Sequence, residues 1–427
     1  MKICIKNGHV IDPKNNIDAK QDLYIDAGQI ASIGEAPKNF MANETIDASG
    51  LIVTPGFVDI SARLREPGNE YKATLESELS AAAAGGVTSL ACPPDTDPVL
   101  DEPGLVEMLK LRGWRHNLAR IYPLGALTQK LEGKILTEMC ELTEAGCAGF
   151  TQANHPIIDT QVLWRAFEYA ATFGYTIFFH PEEPFLARDG VAHDGEVASR
   201  LGLKGIPSAA EALRIATVLR IAQETKTKIH FCRISTAEGV ELIREAKKSG
   251  ITITADVSIY HLHLTEHDIG YFDSNAHLKP PLRTLRDKEA LCLGVKDGTI
   301  DAICSDHAPV DNDAKLLPFA EAEAGASGLE LLLPLTLKWS NNNKVALRDA
   351  VAKITIQSAE ILGINSGHLS VGANADITIF DPEAAWTVTP NSLKSEGKNT
   401  PFLNMEVTGK VIYTLLNGQL TYPSKSN

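Results

Sequence analysis

Eight short apolar runs recur between residues 57 and 305, each followed by a longer amphipathic stretch. The runs are Phe57–Ser61, Thr88–Cys92, Arg120–Leu124, Gly149–Thr151, Thr176–His180, Lys228–Cys232, Thr252–Val257 and Asp301–Ser305. Segments such as 134–145, 208–224, 236–248 and 286–296 space their apolar residues as a helix does. Strand and helix alternating eight times predict an α/β protein built as a (β/α)8 (TIM) barrel. In such a barrel the chemistry stands where strands end and loops begin. The run Ala81–Ala84 is read as helix core.

A bare barrel needs about 250 residues, and this chain has 427. Both ends read as short strands. Ile3 and Ile5 alternate with polar residues, as do Leu23 and Ile25 before a turn at Asp26-Ala27-Gly28. Ile377 and Ile379 flank Thr378, residues 411 to 416 are largely β-branched and apolar, and Asn417-Gly418 is a hairpin turn signal. The expected organisation is a small β domain built from both ends, residues 1–54 and 366–427, around a barrel at 55–365.

A net charge of −14 argues against a nucleic-acid partner, which needs a basic face. Seven scattered cysteines with no C-x-x-C pair argue against a zinc ribbon or a disulfide framework, and point to a reducing cytoplasm. The N-terminus lacks the apolar core of a signal peptide, and no run suits a membrane span.

Residues 55 to 68 read Pro-Gly-Phe-Val-Asp-Ile-Ser-Ala-Arg-Leu-Arg-Glu-Pro-Gly. Further along come Pro94-Asp95-Thr96-Asp97-Pro98, His180-Pro181-Glu182-Glu183, residues 230–236 (His-Phe-Cys-Arg-Ile-Ser-Thr), Lys279-Pro280-Pro281-Leu282-Arg283, Ser305-Asp306-His307-Ala308-Pro309 and residues 325–330 (Gly-Ala-Ser-Gly-Leu-Glu). In order and spacing this set resembles the dihydroorotases of the amidohydrolase superfamily over nearly the whole chain. The resemblance implies a binuclear zinc site with a His-x-His pair on the first strand, a bridging acid, two later histidines and a final Asp. Here Ser61 and Arg63 stand for the pair and Arg233 for one later His. Ala153 lies in the segment where the bridging acid belongs. Only His180 and Asp306 remain, whereas a catalytic zinc is generally held by three protein ligands. A guanidinium has no lone pair to offer a cation. His230 is the one nearby imidazole that could rescue a one-metal site.

Two zinc ions with a bridging hydroxide and two Asp groups carry a formal charge of about +1, as do Arg63 and Arg233 against Asp306. The expectation is that the two guanidinium groups stand in for the metals and pair with Asp306, a vestigial base. The alternative is a pocket opened to water. Of the substrate-gripping positions that the resemblance implies, Arg65 is kept, while Asp95, Lys279 and Val310 replace Asn, Asn and His. Arg65 serves either a carboxylate ligand or an internal salt bridge to Glu66 or Asp95. His261, His263 and His267 are expected to be surface or core residues, and Cys92, Cys232 and Cys304 small core residues.

Three functions follow as expectations. The first is a non-catalytic dihydroorotase-like subunit, needing no cofactor. The resemblance gives it the aspartate carbamoyltransferase catalytic chain as partner in a hetero-oligomer of pyrimidine biosynthesis. The second is an active cyclic amidase with a reduced zinc site. The third is a binding protein for a small anion, caged by Arg63, Arg65, Arg233 and Lys279.

Overall fold

The computed structural model describes residues 1–423; the last four residues of the expected C-terminal segment lie outside it. Its central sheet is eight parallel strands: β1 (Phe57–Asp59), β2 (Val87–Cys92), β3 (Arg120–Ala126), β4 (Gly149–Thr151), β5 (Thr176–Phe179), β6 (Lys228–Phe231), β7 (Ile253–Ser258) and β8 (Ala302–Cys304). They are hydrogen-bonded neighbour to neighbour in that order. Each falls on one of the eight apolar runs. Every residue of β2 is buried, as a strand covered on both faces requires.

Amphipathic helices cover the outside, among them Leu75–Ala84, Ala209–Thr225, Ala237–Lys248 and Leu285–Asp297. The first and last start with reciprocal side-chain caps, Thr74 with Ser77 and Thr284 with Asp287. Ala81, Ala82 and Ala83 are buried. One helix is shorter than its periodicity suggests. In the segment 134–145 the helix begins only at Met139, because the preceding residues bond back to the chain entering the loop, Gln129 N–H donating to the Ile135 carbonyl at 2.8 Å.

The barrel closes without a strand ladder between β1 and β8. Asp59 Oδ1 accepts the Ser305 N–H at 2.9 Å, and Asp59 Oδ2 accepts the Ser305 hydroxyl. Just beyond, Arg63 N–H donates to the His307 carbonyl at 2.8 Å and His307 N–H to the Ser61 carbonyl at 3.1 Å. The seam therefore lies directly beneath the position-61 and position-63 side chains.

Both chain ends build the β domain. Lys2–Lys6, Leu23–Asp26, Gln29–Ile33 and Glu44–Asp47 make a four-stranded sheet. His9–Asp12, Ile17–Lys20 and Ile52–Pro55 share a six-stranded sheet with Ile377–Thr387, Glu406–Leu416 and Gln419–Tyr422. Ile377 pairs with Pro55 and Ile379 with Val53, and Ile3, Ile25, Val53, Ile377 and Leu415 share one core. Ala27-Gly28 and Asn417-Gly418 all take positive φ, as hairpin turns of this hand need. No helix among the described residues is long and apolar enough to cross a membrane, and all seven cysteines are free.

Candidate functional site

The singled-out residues gather at the C-terminal ends of the barrel strands. Ser61, Arg63 and Arg65 follow β1, Asp95 follows β2, and Ala153 and Asn154 follow β4. His180 follows β5, Arg233 follows β6, Lys279 sits in the loop after β7, and Asp306 and Val310 follow β8. Four of them, Arg65, Ala153, Arg233 and Asp306, hold φ between 47° and 64°. For residues other than glycine this left-handed conformation costs of order 1 kcal/mol or more each, and it persists only where the surroundings enforce it.

Arg233 is the hub. Its backbone N–H donates to Asp256 Oδ1 at 2.7 Å, which helps fix the strained backbone. Its Nη2 donates to Asn154 Oδ1 at 2.7 Å. Its Nη1 donates to the Lys279 carbonyl at 3.1 Å and to Asp306 Oδ1 at 3.3 Å. One guanidinium thus ties together the ends of β4, β6, β7 and β8. Burial lifts the Asp306 pKa above the ordinary carboxylate value, against the pull of Arg233 and then Arg63.

Arg63 departs from expectation. Its Nε donates to Asp95 Oδ2 at 2.8 Å, with both side chains largely buried, and it reaches Asp306 only through its field. The chain ends of β1 and β2 are adjacent, so Asp95 is the nearer acid. Burial works against the Asp95 charge, but the Arg63 field and hydrogen bond, with Arg65, outweigh it and hold the carboxyl below its usual pKa. With Asp95 included, the two-arginine cluster is formally neutral rather than positive. Arg65 also has another partner. It donates to the Pro309 carbonyl at 2.8 Å and lies 3.6 Å from Glu323, not beside Glu66. Glu66 is taken by Arg112 and by the Leu75 N–H.

Lys279 pairs with Glu182 at 2.8 Å. Val310 is buried, and its N–H donates to Asn399 Oδ1 at 3.0 Å. Arg63, Arg233 and Lys279 therefore each have an acid of their own and Arg65 shares Glu323 with Lys72, a poor basis for an anion cage. Pairing also replaces solvation by bulk water: Arg63, Arg233 and Asp306 are at most 7% exposed.

The donor set does not fit a binuclear metal centre. Arg233 fills the ground in front of Asp306, and Ala153 supplies no bridging oxygen. Neither ring nitrogen of His180 has a hydrogen-bond partner among the described residues, whereas a metal-binding imidazole is ordinarily oriented through its second nitrogen. Burial, then Arg233 and Lys279, push the His180 pKa well below the usual value, so the ring is neutral. His230 is no substitute ligand. It is fully buried with both nitrogens engaged, Nδ1 with Thr254 Oγ1 and Nε2 with Asp256 Oδ2, each at 2.8 Å. Cys232 lies close to that pair. Burial drives the Cys232 and Cys304 thiols well above their usual pKa, so neither is an activated nucleophile. His261 and His263 are shielded, with pKa values pushed down to about 4 by burial, and His267 is exposed.

Asn154, Asp256, Glu182, Glu323 and Asn399 complete this network and were not singled out in the sequence. Glu182 stood in a quoted motif, but nothing in the sequence paired it with Lys279. Asp256 lies within β7 and the others in loops, all distant in sequence from their partners and without a spacing signal.

Asp59 gives the seam a pH dependence. Burial raises its pKa from 3.8 to about 6, although the Ser305 hydroxyl and N–H and the Ser61 N–H favour the charged form. Between these values the folded chain holds a proton that the unfolded chain has lost. The Asp59 contribution is therefore most favourable below about pH 4 and falls, by on the order of 3 kcal/mol, as pH rises to about 6. Asp59→Asn should flatten this part of the profile. Urea unfolding of both proteins at about pH 4 and pH 8 measures it, and identical pH profiles would refute the assignment.

The sequence model of the family described as "Dihydro-orotase-like" matches residues 50–239, and that of the "Amidohydrolase family" matches residues 198–421. A "Dihydroorotase-like protein" of Pseudomonas aeruginosa is 43% identical over 99% of this chain and 100% of its own length. A "Dihydroorotase" of Geotalea daltonii is 41% identical over 99% of both chains. Among solved structures, the L-hydantoinase (dihydropyrimidinase) of Arthrobacter aurescens superposes with a TM-score of 0.87 at 23% identity, over 98% of this chain and 95% of that one. At that identity the likeness speaks for the fold.

Proposed function

The chain belongs to the dihydroorotase-like branch of the amidohydrolase family, and we propose that it is a member whose hydrolytic centre has given way to internal ion pairs. Its role in this reading is structural: it assembles with the catalytic chain of aspartate carbamoyltransferase and supports that enzyme's activity in the cytoplasm. The observation that carries the proposal is the Arg233 guanidinium bonded at once to Asn154, the Lys279 carbonyl and Asp306. A site that hydrolyses a cyclic amide needs a hydroxide, and bound zinc makes one by bringing the water pKa to about 7. This residue set offers no comparable way to activate water. The competing reading, a working amidase, has relatives named dihydroorotase on its side but must find three ligands around His180 and Asp306.

The two readings part on metal content. The purified chain is expected to carry no stoichiometric zinc by elemental analysis. One equivalent, removable by a chelator together with a dihydroorotate-hydrolysing activity, would establish the amidase instead.

The partnership is tested by mixing the purified chain with the aspartate carbamoyltransferase catalytic chain and sizing the product by light scattering. A hetero-oligomer is expected, with roughly 1,200–2,000 Å² buried at each interface. Arg63→Ala, if folded, should assemble as well as the parent, since Arg63 faces Asp95 inside the barrel mouth. Separate elution of both folded proteins at micromolar concentration would end the proposal.

A further inference from the structure

Three loops at the C-terminal face of the barrel carry large apolar side chains into solvent. Tyr71, in the loop after β1, is 69% exposed; Tyr271, after β7, is 91% exposed; and Leu316, after β8, is 83% exposed. Phe272 and Leu317 stand beside them, also exposed. Such side chains scattered singly would mean little, but a cluster marks a contact surface.

The three loops that carry these five side chains are tied to one another. The Ser274 hydroxyl donates to the Lys315 carbonyl at 2.6 Å, and Lys315 Nζ donates back to the Ser274 carbonyl at 2.9 Å. That clasp joins the loop carrying Tyr271 and Phe272, whose ring centroids lie 5.4 Å apart, to the loop carrying Leu316 and Leu317. The third loop is tied in by Lys72, whose Nζ donates to both oxygens of Glu323 at 2.7 Å and lies 5.4 Å from the Tyr71 ring. The apolar groups therefore rest on a braced platform.

The rim is acidic. Glu70, Asp273, Asp313 and Glu321 are exposed around the same loops. The cations close by are already committed, Lys72 to Glu323 and the buried Lys315 to Ser274. A second copy of this chain, with a net charge of −14 and the same acidic rim, would be repelled. Opposite charge at a rim favours encounter and fixes orientation, while buried aromatic and aliphatic anchors supply most of the affinity.

We propose that this platform is the docking surface through which the chain holds its protein partner, and that the partner presents a basic surface with pockets for Tyr271 and Leu316. The inference rests on the assembly reading above and adds the face of the barrel and the chemistry of what covers it. It also places the partner over the barrel mouth, without a contact to Arg63 or Arg233 beneath.

The test uses the full chain and the aspartate carbamoyltransferase catalytic chain. Tyr271→Asp with Leu316→Asp should weaken association at least about 100-fold, as expected when central anchors are lost. Both residues are so exposed that circular dichroism and the unfolding midpoint should stay unchanged. Leu111→Asp, on the helix Pro103–His116 and half exposed, is the control and should associate normally. Association of the parent should also weaken as salt rises. If the parent binds and the double variant binds equally well, the platform is wrong while the assembly reading stands. If the parent does not bind at all, both fall. If the parent instead self-associates and the double variant does not, the occupant is a second copy and the basic partner is refuted.

Discussion

Arg233→Ala is expected to destabilise the folded chain by about 3–5 kcal/mol, the range seen when one member of a buried ion pair is removed. The guanidinium is 4% exposed and supports Asp306 and Asn154 and caps the Lys279 carbonyl. Without it Asp306 either holds an unpaired charge or takes up a proton, in a site where burial already opposes the charged form. Its remaining compensation, the field of Arg63, is weaker than that of Arg233. Urea denaturation compared with the parent gives the loss directly. Adding Asp306→Asn should recover part of it, because the stranded charge goes too, and the cycle of single and double variants isolates the coupling. A loss below about 1 kcal/mol would mean that water solvates Asp306 and that the pair is not structural.

Ser61→His with Arg63→His is expected to yield no turnover of dihydroorotate and to lower stability by about 3–5 kcal/mol. The activity stays absent because two histidines leave Arg233 in front of Asp306 and Ala153 in place of an acid. The stability cost falls on Asp95, not on Asp306: the Arg63 Nε contact at 2.8 Å is what keeps that buried carboxylate charged. A steady-state assay with added zinc and a denaturation curve check the two halves separately. Measurable, metal-dependent turnover would show that the centre is one step from function and would defeat the structural-subunit reading.

The barrel was legible because its signal is local. An all-buried strand such as β2 and a helix capped by Thr284 and Asp287 are set by residues within a few positions of each other. The helix expected at 134–145 starts only at Met139 for the opposite reason: the residues before it answer to a backbone bond with Gln129, which helical periodicity does not encode. The site divides in the same way. That Arg63 and Arg233 stand where ligands would be was visible in the sequence. Which acid each would choose was not, since Asp95 lies 32 residues from Arg63 and Asp306 lies 73 from Arg233. Charge counting on Asp306 alone therefore gave a positive centre, while the pairs formed across loops make a neutral one. Glu323 behind Arg65 and Asn399 behind Val310 belong to the same class of unreadable partners.

The seam between β1 and β8 bears on how this chain comes to be folded during synthesis. The bonds from Asp59 to Ser305 join residues 246 apart, and the ladder from Pro55 to Ile377 spans still more. Contacts so distant in sequence form late, because a long loop must be closed before they give anything back. A nascent chain released from the ribosome as far as β7 has neither its closing strand nor the second half of its β domain. Until then, the open edge of β1 and the apolar strand Ile52–Pro55 lack their final partners, and such edges invite association with other chains. Closure of the barrel and of the β domain is accordingly a late event in the making of this chain, and chaperone capture is most needed in the interval before residue 377 emerges.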